Sequence, residues 1–202
     1  AFIRANKLNR IITSGGPNAK VGIITTGKSY LDVRQAMDDL GIDEGMAAGL
    51  GIALYKVGMT WPLEQSGARG FALGLETLLV IEEKRSFIEE QLSALLINEP
   101  TRPLLIGKND EAGNPMLNSA GELDPATLAS VIVGRLARIG AVTPEIEAKL
   151  AAIIAREGKP AGPATLVRTA FFCSGCPHNS STVVPEGSRA MAGIGCHGMA
   201  YS

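Results

Sequence analysis

Short β-branched runs alternate along this chain with stretches whose apolar residues recur every three or four positions. Lys20-Val21-Gly22-Ile23-Ile24-Thr25-Thr26 is apolar at successive positions, the pattern of a strand buried on both faces. Gly27-Lys28-Ser29 then turns the chain into a helix with Tyr30, Val33, Met37 and Leu40 on one stripe. Ile52 to Val57 reads as the next strand, ended by Trp61-Pro62-Leu63, and Gly67 to Leu75 as a helical or loop crossover. Thr77-Leu78-Leu79-Val80-Ile81-Glu82-Glu83 is the clearest strand pattern. Ser86 with Glu89 three residues on predicts a capping box, followed by a helix presenting Ile88, Leu92, Leu95 and Leu96. Pro103 to Lys108 reads as a last strand at the sheet edge.

Strands alternating with crossover helices predict an α/β fold: an open parallel-sheet, three-layer sandwich. Residues 1–19 are polar and carry Ser14-Gly15-Gly16-Pro17-Asn18, and read as a lead-in from a preceding domain. Residues 20–108 form the α/β domain. Residues 109–165 form a linker rich in Asn, Gly, Asp and Pro, followed by two helices. The first starts at Asp124-Pro125 and carries Leu128, Val131, Ile132 and Leu136. The second starts at Thr143-Pro144, an N-cap and first-turn proline, and carries Ile146, Leu150, Ile153 and Ile154. Residues 166–202 are a separate Gly-rich stretch.

Composition narrows the function classes. With 202 residues and a net charge of −1, the chain can bury a core but offers no broad basic face to nucleic acid or an anionic membrane. Aromatic residues make up 4%, too few for base-stacking platforms. No apolar run reaches membrane-spanning length and no signal-peptide pattern opens the chain, so a reducing cytoplasm is the expected compartment. Three cysteines do not pair evenly, which favours metal or redox chemistry over a disulfide framework. Ala1 at one end and Ser202 just after the cysteines lead us to expect a piece of a longer polypeptide.

Gly22-x4-Gly27-Lys28-Ser29 formally satisfies the phosphate-loop pattern. Ile23-Ile24-Thr25-Thr26 are stiff residues that extend rather than curl around a phosphate, so the stretch reads as strand, turn and helix, with the Ser29 hydroxyl as helix cap. Glu82-Glu83-Lys84-Arg85 lies at the carboxyl end of a strand, where open α/β sheets bind ligands. A solvated strand end or domain contact is the expectation there, and a packing or interface anchor is the expectation for Trp61-Pro62.

The chemistry concentrates in Phe171-Phe172-Cys173-Ser174-Gly175-Cys176-Pro177-His178-Asn179 and Gly193-Ile194-Gly195-Cys196-His197. This window holds all three cysteines and both histidines of the chain. A tight turn within C-x2-C points both sulfurs to one side, and Cys173, Cys176 and Cys196 fit either a Cys3His zinc site, completed by His178 or His197, or three corners of a four-iron cluster.

Arg168 to Thr182, Pro185 to Ala190 and Ala192 to His197 resemble the opening of the thiamine-diphosphate-binding domain of indolepyruvate ferredoxin oxidoreductase, closest to the long fused bacterial form. Upstream, Val21 to Ala36, Tyr55 to Leu63 and Leu79 to Glu89 resemble the same family, in a domain similar to the C-terminal domain of transketolases. The resemblance implies oxidative decarboxylation of aryl-2-oxo acids, chiefly indolepyruvate, to acyl-coenzyme A with electrons passed to ferredoxin. It implies thiamine diphosphate with Mg2+ and a [4Fe-4S] cluster in the whole enzyme. It assigns Cys173, Cys176 and Cys196 as cluster ligands with a fourth beyond Ser202, and places Ile194, Gly195, Cys196 and His197 by the diphosphate. The Gly-Asp and Asn that hold magnesium, the pyrimidine-binding domain with its activating glutamate, and ferredoxin-like cysteine runs do not occur in these 202 residues. The expectation is therefore a catalytically inert, scaffolding piece of a homodimeric enzyme, with residues 166–202 as the start of the thiamine domain. The rival expectation is a zinc-binding interaction module on an α/β scaffold.

Overall fold

The computed structural model describes residues 1–157, 171–189, 193–196 and 198. The chain divides into two units, Ala1–Lys159 and Pro160–Ser202.

In the first unit the elements follow as α1 (Phe2–Ala5), β1 (Arg10–Ser14), β2 (Val21–Thr26), α2 (Gly27–Asp39), α3 (Glu44–Leu50), β3 (Ile52–Val57), α4 (Gln65–Ala72), β4 (Thr77–Ile81), α5 (Ile88–Leu96), β5 (Leu104–Ile106), α6 (Pro125–Arg138) and α7 (Pro144–Glu157). The sheet order is β1-β3-β2-β4-β5. β2 lies at its centre, with Val21 paired to Ile52 on one side and Thr77 on the other, both in parallel. β5 is the short parallel edge strand beside β4, as its sequence predicts.

The polar lead-in differs from expectation. Residues 10–14 add an antiparallel edge strand to β3, with a bulge between Ile11 and Thr13, so the sheet is mixed rather than wholly parallel. No residue of β1 is fully buried, so it carries none of the apolar run that marks the central strands.

Two apolar layers clothe the sheet. On one face Ile23, Leu54, Leu79, Ile81 and Ile106 pack with Val33, Ala36 and Met37 of α2, Ala47 of α3, and the buried sides of α6 and α7. On the other, Ile24, Tyr55, Leu78 and Val80 pack with Ala68 and Phe71 of α4 and Ile88, Leu92 and Leu96 of α5. The three-layer arrangement follows. Leu128, Ile132 and Leu136 of α6 are withdrawn from water into the sheet's own core. At about 2 kcal/mol for each large aliphatic side chain buried, α6 belongs to the sandwich energetically.

The caps are partly as predicted. Asp124 Oδ1 accepts from the Thr127 amide at 2.8 Å, and Thr143 Oγ1 accepts from the Ile146 amide at 3.4 Å. Ser29 does not cap α2: Thr26 occupies that position without a side-chain cap, and Ser29 lies buried one turn in. The Ser86 capping box is also absent. Its place is taken by the Glu82 carboxylate, which reaches across from the end of β4. Asp43 caps α3 through the Met46 amide at 2.7 Å, a helix the apolar pattern did not show. Among the described residues no helix is long and apolar enough to cross a membrane.

Candidate functional site

In the second unit, Cys173 to Cys176 closes a tight turn, with the Cys176 amide donating to the Cys173 carbonyl at 3.0 Å. Gly175 sits at φ +77°, a left-handed conformation in which a Cβ is disfavoured. Pro177 follows at φ −57° and heads the single turn α8 (His178–Ser181). The Asn179 side-chain amide donates back to the Cys173 carbonyl at 3.3 Å. His178 therefore folds back over the turn: its Nδ1 lies 3.2 Å from Cys176 Sγ, and its ring stacks on Phe172 at 5.4 Å between centroids and 20° between planes.

All three cysteines are free thiols, with Cys173 and Cys196 exposed and Cys176 half-buried. Cys196 follows Gly195, whose φ of +102° is again glycine territory, and Ile194 is fully exposed. His197 lies outside the described residues. Among the described residues no three His, Cys, Asp or Glu side chains converge as a metal-holding group, so the structure brings Cys173 and Cys176 into one turn and does not bring Cys196 to them. The Cys173–Cys176 turn offers two soft donors, Cys173 exposed and Cys176 half-buried, which is the donor chemistry that a metal or cluster edge takes.

The formal phosphate loop is excluded by geometry. Gly22 is mid-strand, hydrogen-bonded between β3 and β4, and a Cβ built there would lie 2.3 Å from Leu75 Cδ1. Lys28, the would-be phosphate ligand, pairs with Asp32 at 2.9 Å, Glu83 at 3.5 Å and Glu122 at 3.8 Å. The Asp32 hydrogen bond leads in raising its pKa above the ordinary lysine value, so its charge is already answered by neighbouring carboxylates.

Glu82 departs from the solvated strand end its sequence suggests. It is 4% exposed, and its two oxygens accept from the amides of Phe87, Ile88 and Glu89 at 2.8 to 3.0 Å. Beside it the Lys108 ammonium donates to the Glu82 carbonyl at 2.5 Å. Burial lowers the Lys108 pKa, against the opposing pull of Glu82, Glu89 and Glu83. These groups hold a helix and a strand together. Trp61 is 64% exposed, tilted against Phe87 at 5.8 Å, with grooves of about 410 and 390 Å³ beside it. Sequence reasoning missed the Glu82 cap and the His178–Cys176 contact; the C-P-H order beside a C-x2-C turn was the available signal for the second.

The family profile described as the indolepyruvate oxidoreductase domain matches residues 11–159. Among curated relatives, the indolepyruvate oxidoreductase subunit IorA of Methanothermobacter marburgensis is 27% identical over 175 residues, 87% of this chain and 24% of that protein. IorA of Pyrococcus abyssi is 32% identical over 95 residues, 47% of this chain and 14% of its own length. IorA of Pyrococcus horikoshii is 37% identical over 78 residues, 39% of this chain and 11% of its own length. The chain thus spans a quarter or less of the length of these relatives. Among solved structures it is similar to a 2-oxoglutarate:ferredoxin oxidoreductase from Magnetococcus marinus, at 22% identity and a TM-score of 0.42 over 63% of this chain and 19% of that one. It is also similar to a split-gene transketolase, at 15% identity and a TM-score of 0.44 over 64% of this chain and 41% of that one. With well over half of its residues matched by the family profile, the chain belongs to the indolepyruvate oxidoreductase domain family.

Proposed function

We propose that this chain is a section of an enzyme that oxidatively decarboxylates aryl-2-oxo acids, indolepyruvate foremost, to acyl-coenzyme A while reducing ferredoxin. The observation that carries the reading is the succession, in one chain, of the family-matched residues 11–159 and the glycine-permitted Cys173–Cys176 turn. When bound, thiamine diphosphate with Mg2+ supplies the electron sink at the keto carbon, and a [4Fe-4S] cluster carries the electrons away singly.

This chain's own contribution is to hold and to space. Cys173 and Cys176 bind iron through thiolates, Cys196 supplies the third sulfur, and another segment of the enzyme supplies the fourth ligand. Ile194, Gly195, Cys196 and His197 line the diphosphate, where the absence of a Cβ at Gly195 lets backbone amides approach an anion. The α/β sandwich spaces the two thiamine-binding domains and offers a surface for a homodimer. Its polar clusters support this role, since Glu82, Lys28 and Lys108 are engaged internally. Alone, the 202 residues do not turn over.

The test is the iron, sulfide and zinc content and the visible spectrum of the anaerobically purified full-length enzyme and its Cys173→Ser variant. About four irons and four sulfides per chain site, with broad absorption lost in the variant, is the expected result. Stoichiometric zinc without colour would replace the cluster by a structural zinc site. Turnover of indolepyruvate by the isolated 202 residues would overturn the scaffold reading.

A further inference from the structure

The strand order places β3 on one side of β2 and β4 on the other, with α2 and α3 on one face of the sheet and α4 on the opposite face. Where the strand order reverses in this way, a crevice opens at the carboxyl ends of the two strands, and open α/β sheets hold their ligands there. In this chain the two strands are β2 and β4, and a segment of the chain itself is tied across their ends. Leu117 and Leu123 are buried in the apolar layer of Ile23 and Ile81, while residues 118–122 between them are exposed. Lys28, in the first turn of α2 after β2, donates to the Leu123 carbonyl at 3.3 Å and faces Glu122 at 3.8 Å. Lys84, just past β4, donates to the Gly121 carbonyl at 2.7 Å.

This closed arrangement carries two costs. Lys84 takes φ +58°, and among the described non-glycine residues only Lys7 shares that left-handed region. A side chain there is strained, and the surroundings must hold it in place. Thr25 alternates with Ile23 on β2 and pairs with Ile81, so its side chain faces the layer that Leu117 and Leu123 join. It is fully buried, and its hydroxyl has no partner among the described residues, a penalty that contact with water relieves. Two buried leucines and two lysine contacts hold the segment shut, while the strained turn and the orphan hydroxyl favour release. Opposed terms of this kind, on a span with few buried contacts, let a segment open while the sheet beneath it stays folded.

We infer that residues 118–122 form an autoinhibitory strap over the crevice at the carboxyl ends of β2 and β4, latched by Lys28 and Lys84. In the closed state the carbonyl oxygens of Gly121 and Leu123 take the lysine donors that ligand oxygens would take. The strap lies wholly within the α/β unit and uses neither the cysteines nor the thiamine chemistry, so it stands or falls separately from the proposed function.

The experiment is thiol-labelling kinetics on the full-length enzyme carrying Thr25→Cys, alone and combined with Lys84→Met or Lys28→Met. Labelling at position 25 is read by peptide mass mapping, which separates it from the native cysteines. Val80→Cys, in the buried layer on the opposite face, serves as the control for opening of the sheet as a whole. Lys84→Met should speed labelling at position 25 about tenfold, the equivalent of one hydrogen bond from a charged donor, and leave position 80 unchanged. Lys28→Met should act in the same direction. An unchanged rate at position 25 would overturn the strap, and so would an equal acceleration at positions 25 and 80, which marks a general loosening of the fold. If Thr25→Cys does not fold, the native Thr25 background serves instead, with cleavage after the exposed Glu122 by a glutamate-specific protease as the readout. There Lys84→Met should be cut about tenfold faster than the parent, and equal rates would overturn the inference.

Discussion

The carboxylate of Glu82 lies 2.8 Å from the amide nitrogen of Ile88, and both are buried. Glu82 directly follows β4, and Ile88 opens α5, so one side chain satisfies the amides at the start of the helix that follows the strand. Those amides have no other acceptor within the helix. Replacing Glu82 by Ala leaves the buried Ile88 amide and the half-buried Phe87 and Glu89 amides without that acceptor, and should cost about 3 kcal/mol, the scale for losing charge-assisted hydrogen bonds in the interior. Urea unfolding followed by circular dichroism measures this. A loss below about 1 kcal/mol, the range of an ordinary exposed cap, would mean that water replaces the carboxylate.

Gly22 separates packing from nucleotide binding. A methyl group there would meet Leu75 Cδ1 at 2.3 Å, Leu78 Cδ1 and Phe71 Cε1 at 3.1 Å. The expected result for Gly22→Ala is a destabilisation of about 2 kcal/mol from overpacking, with no change in affinity for ATP because none is present to lose. Calorimetric titration of the parent chain with MgATP checks the second half, and saturable binding would revive the phosphate-loop pattern.

The central strands were legible because burial on both faces leaves uninterrupted β-branched runs, as in Val21 to Thr26 and Thr77 to Ile81. β1 was not, since Arg10 to Ser14 pairs through its backbone on one side and buries no residue fully, leaving no apolar signature. α6 and α7 were legible as helices from their caps and stripes. Their place in the sheet's core depends on contacts with α2 that no local pattern carries. The cysteine turn was legible from spacing and Gly175. The His178 contact was not, because it depends on how a one-turn helix after Pro177 swings the ring back.

Trp61 tests the scaffold reading. Its ring is mostly in water and touches Phe87, so Trp61→Ala should cost the isolated chain no more than about 1 kcal/mol, the worth of one aromatic pair. In the full-length enzyme the same substitution should weaken assembly, seen as a shift toward monomer in sedimentation velocity. Turnover per assembled enzyme should stay unchanged. A steep fall in turnover with assembly intact would place Trp61 at the chemistry instead of at a surface between domains.

Asp124 gives the chain a pH signature. Partial burial pulls its pKa upward, but the Thr127 hydroxyl at 2.7 Å, the Thr127 amide at 2.8 Å and the Ala126 amide outweigh it and hold the carboxyl below the ordinary aspartate value. A folded-state pKa below the unfolded one means that the unfolded chain binds the proton more tightly. The stabilisation is therefore complete above the unfolded value of about 4 and drains away as pH falls through the lower folded value. Asp124→Ala should cost about 1 kcal/mol at pH 7, the worth of a helix N-cap, and the difference from the parent should shrink as pH falls below about 4. Asp124→Asn keeps an oxygen acceptor and should lose only a few tenths of a kcal/mol, independent of pH. Urea midpoints at a series of pH values from 7 to 3 decide it. A constant deficit in the Asp124→Ala variant across that range would show that the cap works through shape and not through its charge.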